Sequence, residues 1–212
     1  MIALAGTIAC APPEKAVVDK YFHAVQAKDH QTLTSFAAVV LDKPVEVWKI
    51  TKAGEERPSP AALPELIAKM KDMEAQLAAN KKAAAAYNLE NYTSIEKVDA
   101  LKKGAPVPAS LAAVAGEWEK FKQKDRELKR ALATSKDALE KEKRYMALSV
   151  GAVSDLEALT GKMVDKQVEL DLTLKDEKPQ PYVMLLRKYD LVRPTGAKVM
   201  SRWVVYELNP RG

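Results

Sequence analysis

The chain has 212 residues, of which 47% are hydrophobic and 30% charged, with a net charge of +5. This composition is ordinary for a folded protein of one domain with an insertion, or of two small domains. The single cysteine excludes an internal disulfide. The eight glycines include no glycine-rich phosphate loop, which excludes a nucleotide site of that type.

The first ten residues, MIALAGTIAC, are apolar throughout and too short to span a bilayer. They are similar to the end of a bacterial lipoprotein signal, in which a small residue precedes a cysteine that is acylated. Ala9 and Cys10 fit that pattern, but Thr7 stands where leucine is usual and no basic residue precedes the run. We interpret residues 1–11 as a signal-like segment with Cys10 as the lipidation site. An ordinary apolar segment and a secretory signal cut nearby remain alternatives.

Two helices and a strand are predicted next. Pro12 and Pro13 begin a helix whose apolar face carries Val18, Tyr21 and Phe22. The pair Lys28-Asp29 interrupts the pattern, and a second short helix is predicted from His30 to Val39. Residues 43–51 (KPVEVWKIT) alternate as a strand with apolar groups on both faces. Residues 54–60 (GEERPSP) are predicted to be a linker.

A long helical hairpin is the most regular prediction. From Leu63 to Leu101, and again from Leu111 to Ser149, seam positions recur at alternating steps of three and four, as in a coiled coil. The turn between them, residues 104–108 (GAPVP), ends one helix and prevents a straight continuation. The alternatives are one unbroken helix, or two helices folded back into a bundle. Matching the arms about this turn places Asn91 opposite Phe121 and Asn80 opposite Leu132.

Three apolar residues, Ile67, Tyr92 and Ile95, lie beside the predicted seam rather than in it. A third helix could bind there, so we interpret them as an interaction surface for a protein partner or for self-association.

The pattern changes after Ser149. A short helix is predicted from Ser154 to Met163, followed by strands at 168–174, 181–191 and 198–208 joined by short turns, which favours an antiparallel meander. The predicted fold class is therefore α+β: a small helix-plus-antiparallel-sheet domain interrupted by a long antiparallel coiled-coil hairpin. The predicted domains are a base of residues 12–60 and 150–212 and a hairpin insertion of residues 61–149.

Lys15 to Ala38 (KAVVDKYFHAVQAKDHQTLTSFAA) and the final meander resemble the cone-shaped α+β fold of the nuclear transport factor two-like superfamily. That superfamily includes ketosteroid isomerases, scytalone dehydratase and small binding domains. The resemblance implies a pocket between the long helix and a curved sheet. Residues expected to line such a pocket are Tyr21, His23, Tyr182, Arg187, Tyr189, Arg202 and Trp203.

No catalytic, cofactor-binding or metal-binding residues are predicted. His23 and His30 lie seven residues apart, but Lys28-Asp29 separates them and no third ligand has metal-site spacing. No nucleophile elbow accompanies a Ser-His or Cys-His pair. We therefore expect no enzymatic activity and no cofactor.

Basic residues are concentrated in the second arm of the hairpin. They are Lys120, Lys122, Lys124, Arg126, Lys129, Arg130, Lys136, Lys141, Lys143 and Arg144. Interleaved acids favour a solvated coiled-coil face over a nucleic-acid or lipid site, and no aromatic stacking platform accompanies them.

The predicted function is that of a non-catalytic cell-envelope protein, membrane-anchored and facing the periplasm or the exterior, which binds a partner through its hairpin. The alternatives are a small-molecule-binding or enzymatic base with the hairpin as a lid, and nucleic-acid association through the basic arm.

Overall fold

The structure, a computed structural model, describes residues 12–101, 105–151 and 153–211. The proposed lipidation site Cys10, the whole of residues 1–11 and turn residue Gly104 lie outside these residues. The chain divides into two compact units, Met1–Ala62 with Lys141–Gly212, and Leu63–Glu140. The predicted α+β class with a long helical pair is confirmed.

The first unit begins with the two predicted helices, α1 (Pro13–Gln26) and α2 (His30–Phe36). Pro13 occupies the first helical turn, where its missing N–H costs no hydrogen bond. Lys28 has a positive φ of 55°, which ends the run of helical backbone, and the Asp29 carboxylate caps α2 by accepting from the Thr32 N–H at 2.9 Å. The interruption at Lys28-Asp29 therefore separates the helices, as predicted.

Five strands form one antiparallel sheet. They are β1 (Val45–Ala53), β2 (Arg57–Pro60), β3 (Thr160–Leu174), β4 (Gln180–Val192) and β5 (Val204–Pro210). The order is β1-β3-β4-β5, and β2 also pairs with β3. The turn between β4 and β5 contains Gly196, whose φ of 82° suits glycine and whose N–H donates to the Arg193 carbonyl at 2.8 Å. The antiparallel meander is thus confirmed.

The predicted linker 54–60 is wrong in its second half, which forms β2. Pro58 pairs with Val164 and Pro60 with Lys162. Proline supplies no N–H to a ladder, so it is tolerated in a strand only where that N–H would not be needed, as at an edge. The proline-rich composition indicated a loop, whereas the fixed φ of proline also fits an extended edge strand.

Three other features differ from the prediction after Ser149. The predicted helix from Ser154 to Met163 is only a short 3-10 turn, Leu156–Ala158, and Asp155 rather than Ser154 caps it. Thr160 already begins β3, because the alternating pattern extends further towards the N-terminus than residue 168. The last strand begins at Val204, since residues 199–203 are not in strand conformation.

The main core of the first unit lies between α1, α2 and one face of the sheet. Val18, Tyr21 and Phe22 of α1 are fully buried there, as their spacing predicted. Alternate residues of β3 and β4 face them: Val164, Val168, Leu170, Leu172, Leu174, Tyr182, Met184 and Leu186. Side chains two apart in a strand share a face, so this alternation assigns one face of the sheet to the core.

The Tyr21 hydroxyl is tied into this core. It donates to the Val39 carbonyl at 3.2 Å and accepts from the Leu41 N–H at 3.0 Å. Burial raises the pKa of Tyr21 to about 12. Tyr21 therefore joins α1 to the segment that leads from α2 into β1.

We expect this buried phenol to make the protein unstable in alkali. Above pH 10 the unfolded chain releases the tyrosine proton, while the folded protein retains it. The stabilisation contributed by the neutral Tyr21 is therefore fully present below pH 10 and is lost as the pH rises to 12. At about 1.4 kcal/mol per pH unit, the loss from Tyr21 is roughly 3 kcal/mol over that interval. Urea denaturation between pH 9 and 12 measures it. Tyr21→Phe should flatten the profile, and an unchanged slope would contradict the assignment.

The other face of the sheet receives the end of a helix. Helix α5 runs from Ala112 to Val150, and its residues from Lys141 onwards belong to the first unit. Met146 and Ser149 of this segment are buried, and the Ser149 hydroxyl donates to the Arg202 carbonyl at 2.7 Å. Residues of β4 that point away from the main core, Tyr189 and Leu191, are also buried. The sheet is therefore packed on both faces.

The second unit contains α3 (Leu63–Glu90), α4 (Tyr92–Asp99) and the larger part of α5. The long helices α3 and α5 pack together, with the Tyr87 and Phe121 rings 5.5 Å apart. Asn91 interrupts the first arm, with φ −116° and ψ 23°, and its side chain donates to the Tyr87 carbonyl at 3.1 Å. The first arm is therefore two helices rather than one. None of the helices among the described residues combines the length and the hydropathy that a bilayer span requires.

The pairing of the two arms differs from the sequence-based register. Phe121 lies between Asn80, which donates to its carbonyl oxygen at 3.2 Å, and Tyr87, which contacts its ring. The prediction placed Phe121 opposite Asn91, about two helical turns away. That prediction assumed an unbroken seam up to the turn, and the interruption at Asn91 removes this assumption.

Candidate functional site: a groove on the helical hairpin

An open apolar groove of about 740 Å³ runs between α3 and α5 in the second unit. Its α3 side consists of Asn80, Lys81, Ala84, Ala85, Asn88 and Leu89, and its α5 side consists of Trp118, Phe121, Lys122, Asp125 and Arg126. Residues three, four and seven apart share a face of a helix, so each side of the groove is one face of its helix. The volume is in the range of cavities that bind ligands or anchoring side chains.

The α3 side of the groove includes two small side chains. Residues 83–86 are four consecutive alanines, of which Ala84 and Ala85 line the groove. Alanine lets a neighbouring backbone approach closely while retaining high helix propensity. Leu89 follows on the same side with 81% of its surface exposed, and Tyr92 lies just beyond it with 61% exposed. Small residues beside exposed large apolar ones form a surface that another helix could cover.

Trp118 forms part of the opposite wall. Its indole N–H is inaccessible and has no hydrogen-bond partner among the described residues. Reorienting this ring towards a ligand in the groove would therefore cost no hydrogen bond. The Lys122 ammonium lies 5.9 Å from the indole centroid.

The rim of the groove is predominantly basic. Lys81, Lys122 and Arg126 are its cations, and Asp125 is its one acid. The Asp125 carboxylate already pairs with Lys129 at 2.6 Å. Lys122 and Arg126 share Glu119, at 3.2 and 2.6 Å, and these exposed pairs are screened by solvent. Lys122 also approaches Asp99 at 3.6 Å, so Lys81 is the groove cation that has no ion pair among the described residues.

The opposite flank of the same helical pair provides an internal comparison. Gln76, Ala79, Ala83, Glu117, Lys120 and Lys124 line a smaller depression there, of about 430 Å³, together with Asn80 and Phe121. It has no exposed leucine, tyrosine or tryptophan in its lining. The apolar groove is therefore a feature of one flank.

The three residues predicted to form the interaction surface have different environments. Tyr92 is exposed, Ile67 is partly exposed, and Ile95 is buried with 2% of its surface accessible. Ile95 lies in α4, the helix that restarts after the interruption at Asn91, and packs inside the second unit. Ile95 is therefore not available to a partner, whereas Tyr92 is exposed and follows the groove residue Leu89 by three residues in the chain.

A charge at Ile95 should consequently destabilise the hairpin rather than act only on binding. Placing an unpaired charge in an apolar site costs several kcal/mol, so Ile95→Glu should lower the unfolding free energy of the second unit by about 3 kcal/mol or more. Tyr92→Glu, three residues away but exposed, is the matched control and should change stability by less than about 0.5 kcal/mol. Urea titration followed by circular dichroism measures both. Equal stability of the two variants would contradict the burial of Ile95.

The residues expected to share a pocket in the base occupy four separate places. Tyr21, Tyr182 and Trp203 belong to the main core. Arg187 and Tyr189 lie on the opposite face of the sheet. His23 is exposed against the Trp48 ring, and Arg202 is exposed and bonds the Leu148 and Ser35 carbonyls. These seven residues therefore do not line one cavity.

Arg187 and Tyr189 belong to a buried polar network with the end of α5. Arg187 makes two bonds to the Asp165 carboxylate, at 2.6 and 2.9 Å, and one to Glu142 at 3.1 Å. The Tyr189 hydroxyl donates to the other Glu142 oxygen at 2.9 Å. The Arg187 guanidinium also lies 4.6 Å from the Tyr206 ring centroid. Each buried charge has a partner, so the network can join helix to sheet without an unsatisfied group.

The electrostatics agree with a structural role. Burial opposes the positive charge of Arg187, but the bonds and charge of Asp165 outweigh it and raise the Arg187 pKa. Burial, together with the negative charge of Glu142, raises the pKa of Tyr189 well above its usual value. Arg187 is therefore held charged and Tyr189 neutral at physiological pH, as stable hydrogen bonding requires.

The predicted basic arm is largely paired with acids. Lys120 pairs with Glu117 at 2.8 Å, and Lys136 pairs with Glu74 across the helices at 3.5 Å. Both pairs are solvent-exposed. These contacts fit the interpretation of this arm as a solvated coiled-coil face.

The sequence did not indicate the groove residues Lys81, Ala85 and Leu89. The available signals were the alanine run and the position of Leu89 outside the seam. Trp118 falls at a seam position of the predicted second arm, between Leu111 and Ser149, and in the structure it lines the groove.

Comparisons of the chain with models of protein families, with characterised proteins and with solved structures gave no match, so no family assignment follows from them.

Proposed function

We propose that this protein is a non-catalytic interaction module that binds a protein partner through its helical hairpin. The observation that carries the proposal is the apolar groove, whose lining includes the exposed Leu89, together with the exposed Tyr92 three residues further along the chain. Single exposed apolar residues are common, but two large ones beside an apolar groove are typical of a binding surface. The doubly packed sheet of the first unit would act as the base from which the hairpin binds.

The test uses the full-length protein and two matched pairs of substitutions. Leu89→Glu with Tyr92→Glu places charges along the groove, and Val47→Glu with Met200→Glu places charges on exposed apolar residues of the first unit. Affinity purification from the cells that make the protein should lose a partner at least tenfold with the hairpin pair and retain it with the base pair. Retention of the same partners by both variants would refute the proposed function.

We also propose that the protein resides in the cell envelope, anchored by lipid at Cys10. The support is the sequence Ala9-Cys10 after an apolar run. Mass spectrometry of the mature N-terminus should find an acylated cysteine, and Cys10→Ala should release the protein from membranes. A mature chain that retains residues 1–9 would remove this part of the proposal.

The base is proposed to be similar to nuclear transport factor two-like domains, on the strength of two helices packed on an antiparallel sheet. That similarity supports a second candidate function, small-molecule binding in the base. An open cavity of about 780 Å³ lies beside Gln26, His30, Asp42 and Lys175. Binding there would be unaffected by the Leu89 and Tyr92 substitutions, which distinguishes it from binding at the hairpin.

A further inference from the structure

We infer that the occupant of the hairpin groove is an amphipathic helix of a protein partner whose apolar stripe is flanked by Asp and Glu. This inference rests on the proposed function and specifies the chemistry of the partner. It is carried by the shape of the groove and by the charges on its rim.

The shape fits a helix. The groove lies between two helices, and the residues that line it are spaced three or four apart on each helix. They are Lys81, Ala85 and Asn88 on α3, and Trp118, Lys122 and Asp125 on α5. A third helix laid against such a pair inserts its own i, i+3, i+4 and i+7 side chains between them. The small side chains of Ala84 and Ala85 allow its backbone to approach, and Leu89 and Trp118 provide apolar contact at the sides.

The charges determine which helix is favoured. Of the four charged residues that line the groove, three are basic and one, Asp125, is acidic. Asp125 is paired with Lys129, and Lys122 and Arg126 are paired with Glu119. Lys81 has no ion pair with any residue in the described ranges of the chain. A partner helix with acidic flanks would pair with Lys81 on one side. On the other side it would share Lys122 and Arg126 with Glu119 and Asp99, in pairs that are exposed and therefore weak. Charge complementarity of this kind adds specificity and accelerates association.

A second copy of the chain is disfavoured by the same charges. Two such grooves placed face to face would bring Lys81, Lys122 and Arg126 of one copy towards those of the other, and like charges in opposition destabilise an interface. An anionic membrane surface would satisfy the cations, but it would leave the Asn88 side chain of the groove facing acyl chains.

A peptide selection tests the inference. The probe is a displayed library of 18-residue helical peptides with a fixed leucine stripe and flanking positions randomised among Glu, Lys, Gln and Ser. The library is selected on the full-length protein and counter-selected on an Ala85→Glu/Leu89→Glu variant. Peptides with acidic flanks should be enriched, should bind at least tenfold more tightly than their lysine-flanked counterparts, and should weaken as salt is added.

The matched control alters the other flank of the helical pair. Ala79→Glu with Ala83→Glu also places two glutamates four residues apart on exposed helix positions, but outside the groove, and should leave peptide affinity within twofold. Lys81→Glu should reduce affinity for acidic peptides and increase it for the lysine-flanked ones. This exchange of preference would not follow from a loss of folding.

Several results would overturn the inference. The first two are that the enriched peptides show no acidic bias, or that no peptide loses affinity for the Ala85→Glu/Leu89→Glu variant. The other two are that the protein self-associates and this variant abolishes it, or that the groove binds phosphatidylglycerol vesicles in place of peptides. If copurification still depends on Leu89 and Tyr92 while acidic peptides are not enriched, the inference fails and the proposed function stands. If acidic peptides bind the groove but copurification is unaffected, the proposed function fails.

Discussion

Replacing Arg187 with leucine is expected to lower the free energy of unfolding by about 3–5 kcal/mol. The guanidinium joins Asp165 of β3 to Glu142 of α5, and removing it leaves the Glu142 carboxylate buried beside Tyr189 without its cation. An unpaired buried charge costs more than the net value of the pair that it replaces. Chemical denaturation of the full-length protein measures the change.

The neighbouring residue in β4 provides the control. Lys188 pairs with Glu56 at 3.1 Å in a more exposed position, so Lys188→Leu should cost less than about 1 kcal/mol. Adding Glu142→Gln to Arg187→Leu should restore part of the stability, because the amide carries no charge and can still accept from Tyr189. Equal losses for Arg187→Leu and Lys188→Leu would show that the network does not stabilise the contact between helix and sheet.

The largest expected effect on binding is at Trp118. Large aromatic side chains at the wall of a groove commonly contribute 2 kcal/mol or more to binding, so Trp118→Ala should weaken partner affinity by about 30-fold or more. The indole N–H makes no hydrogen bond within the described ranges, so Trp118→Phe should retain most of the affinity. Titration calorimetry with a copurified partner or a selected peptide measures both variants.

Helical content distinguishes this effect from unfolding of the hairpin. Trp118 is partly buried, and Trp118→Ala should leave the far-ultraviolet circular dichroism spectrum at 25 °C unchanged while affinity falls. An affinity within threefold of the wild type would remove Trp118 from the binding surface. A weak Trp118→Phe variant would indicate that the indole N–H bonds the partner.

Features set by local periodicity were predictable from the sequence. The spacing of Val18, Tyr21 and Phe22 defines one helical face, and the alternation of Leu170, Leu172 and Leu174 defines one strand face. Both patterns follow directly from the 3.6- and 2-residue periods of these elements. The fold class was therefore accessible before any coordinates.

Features that depend on contacts between distant segments were not predictable. Residues 57–60 become a strand only because β3 extends far enough to pair with them. Ile95 is buried because the first arm is interrupted at Asn91, and the same interruption invalidates a register counted from the turn. The groove depends on that register, so its lining could not be identified from the seam pattern alone.

Site-specific photo-crosslinking in living cells tests the central claim most directly. A photoreactive phenylalanine analogue is placed at Leu89 or Tyr92 on the hairpin, or at Val47 or Met200 on the first unit, all of which are exposed. The account predicts one recurrent adduct from Leu89 and Tyr92 that is absent from Val47 and Met200. Adducts confined to Val47 and Met200, or none from the hairpin, would contradict the claim that the hairpin binds the partner.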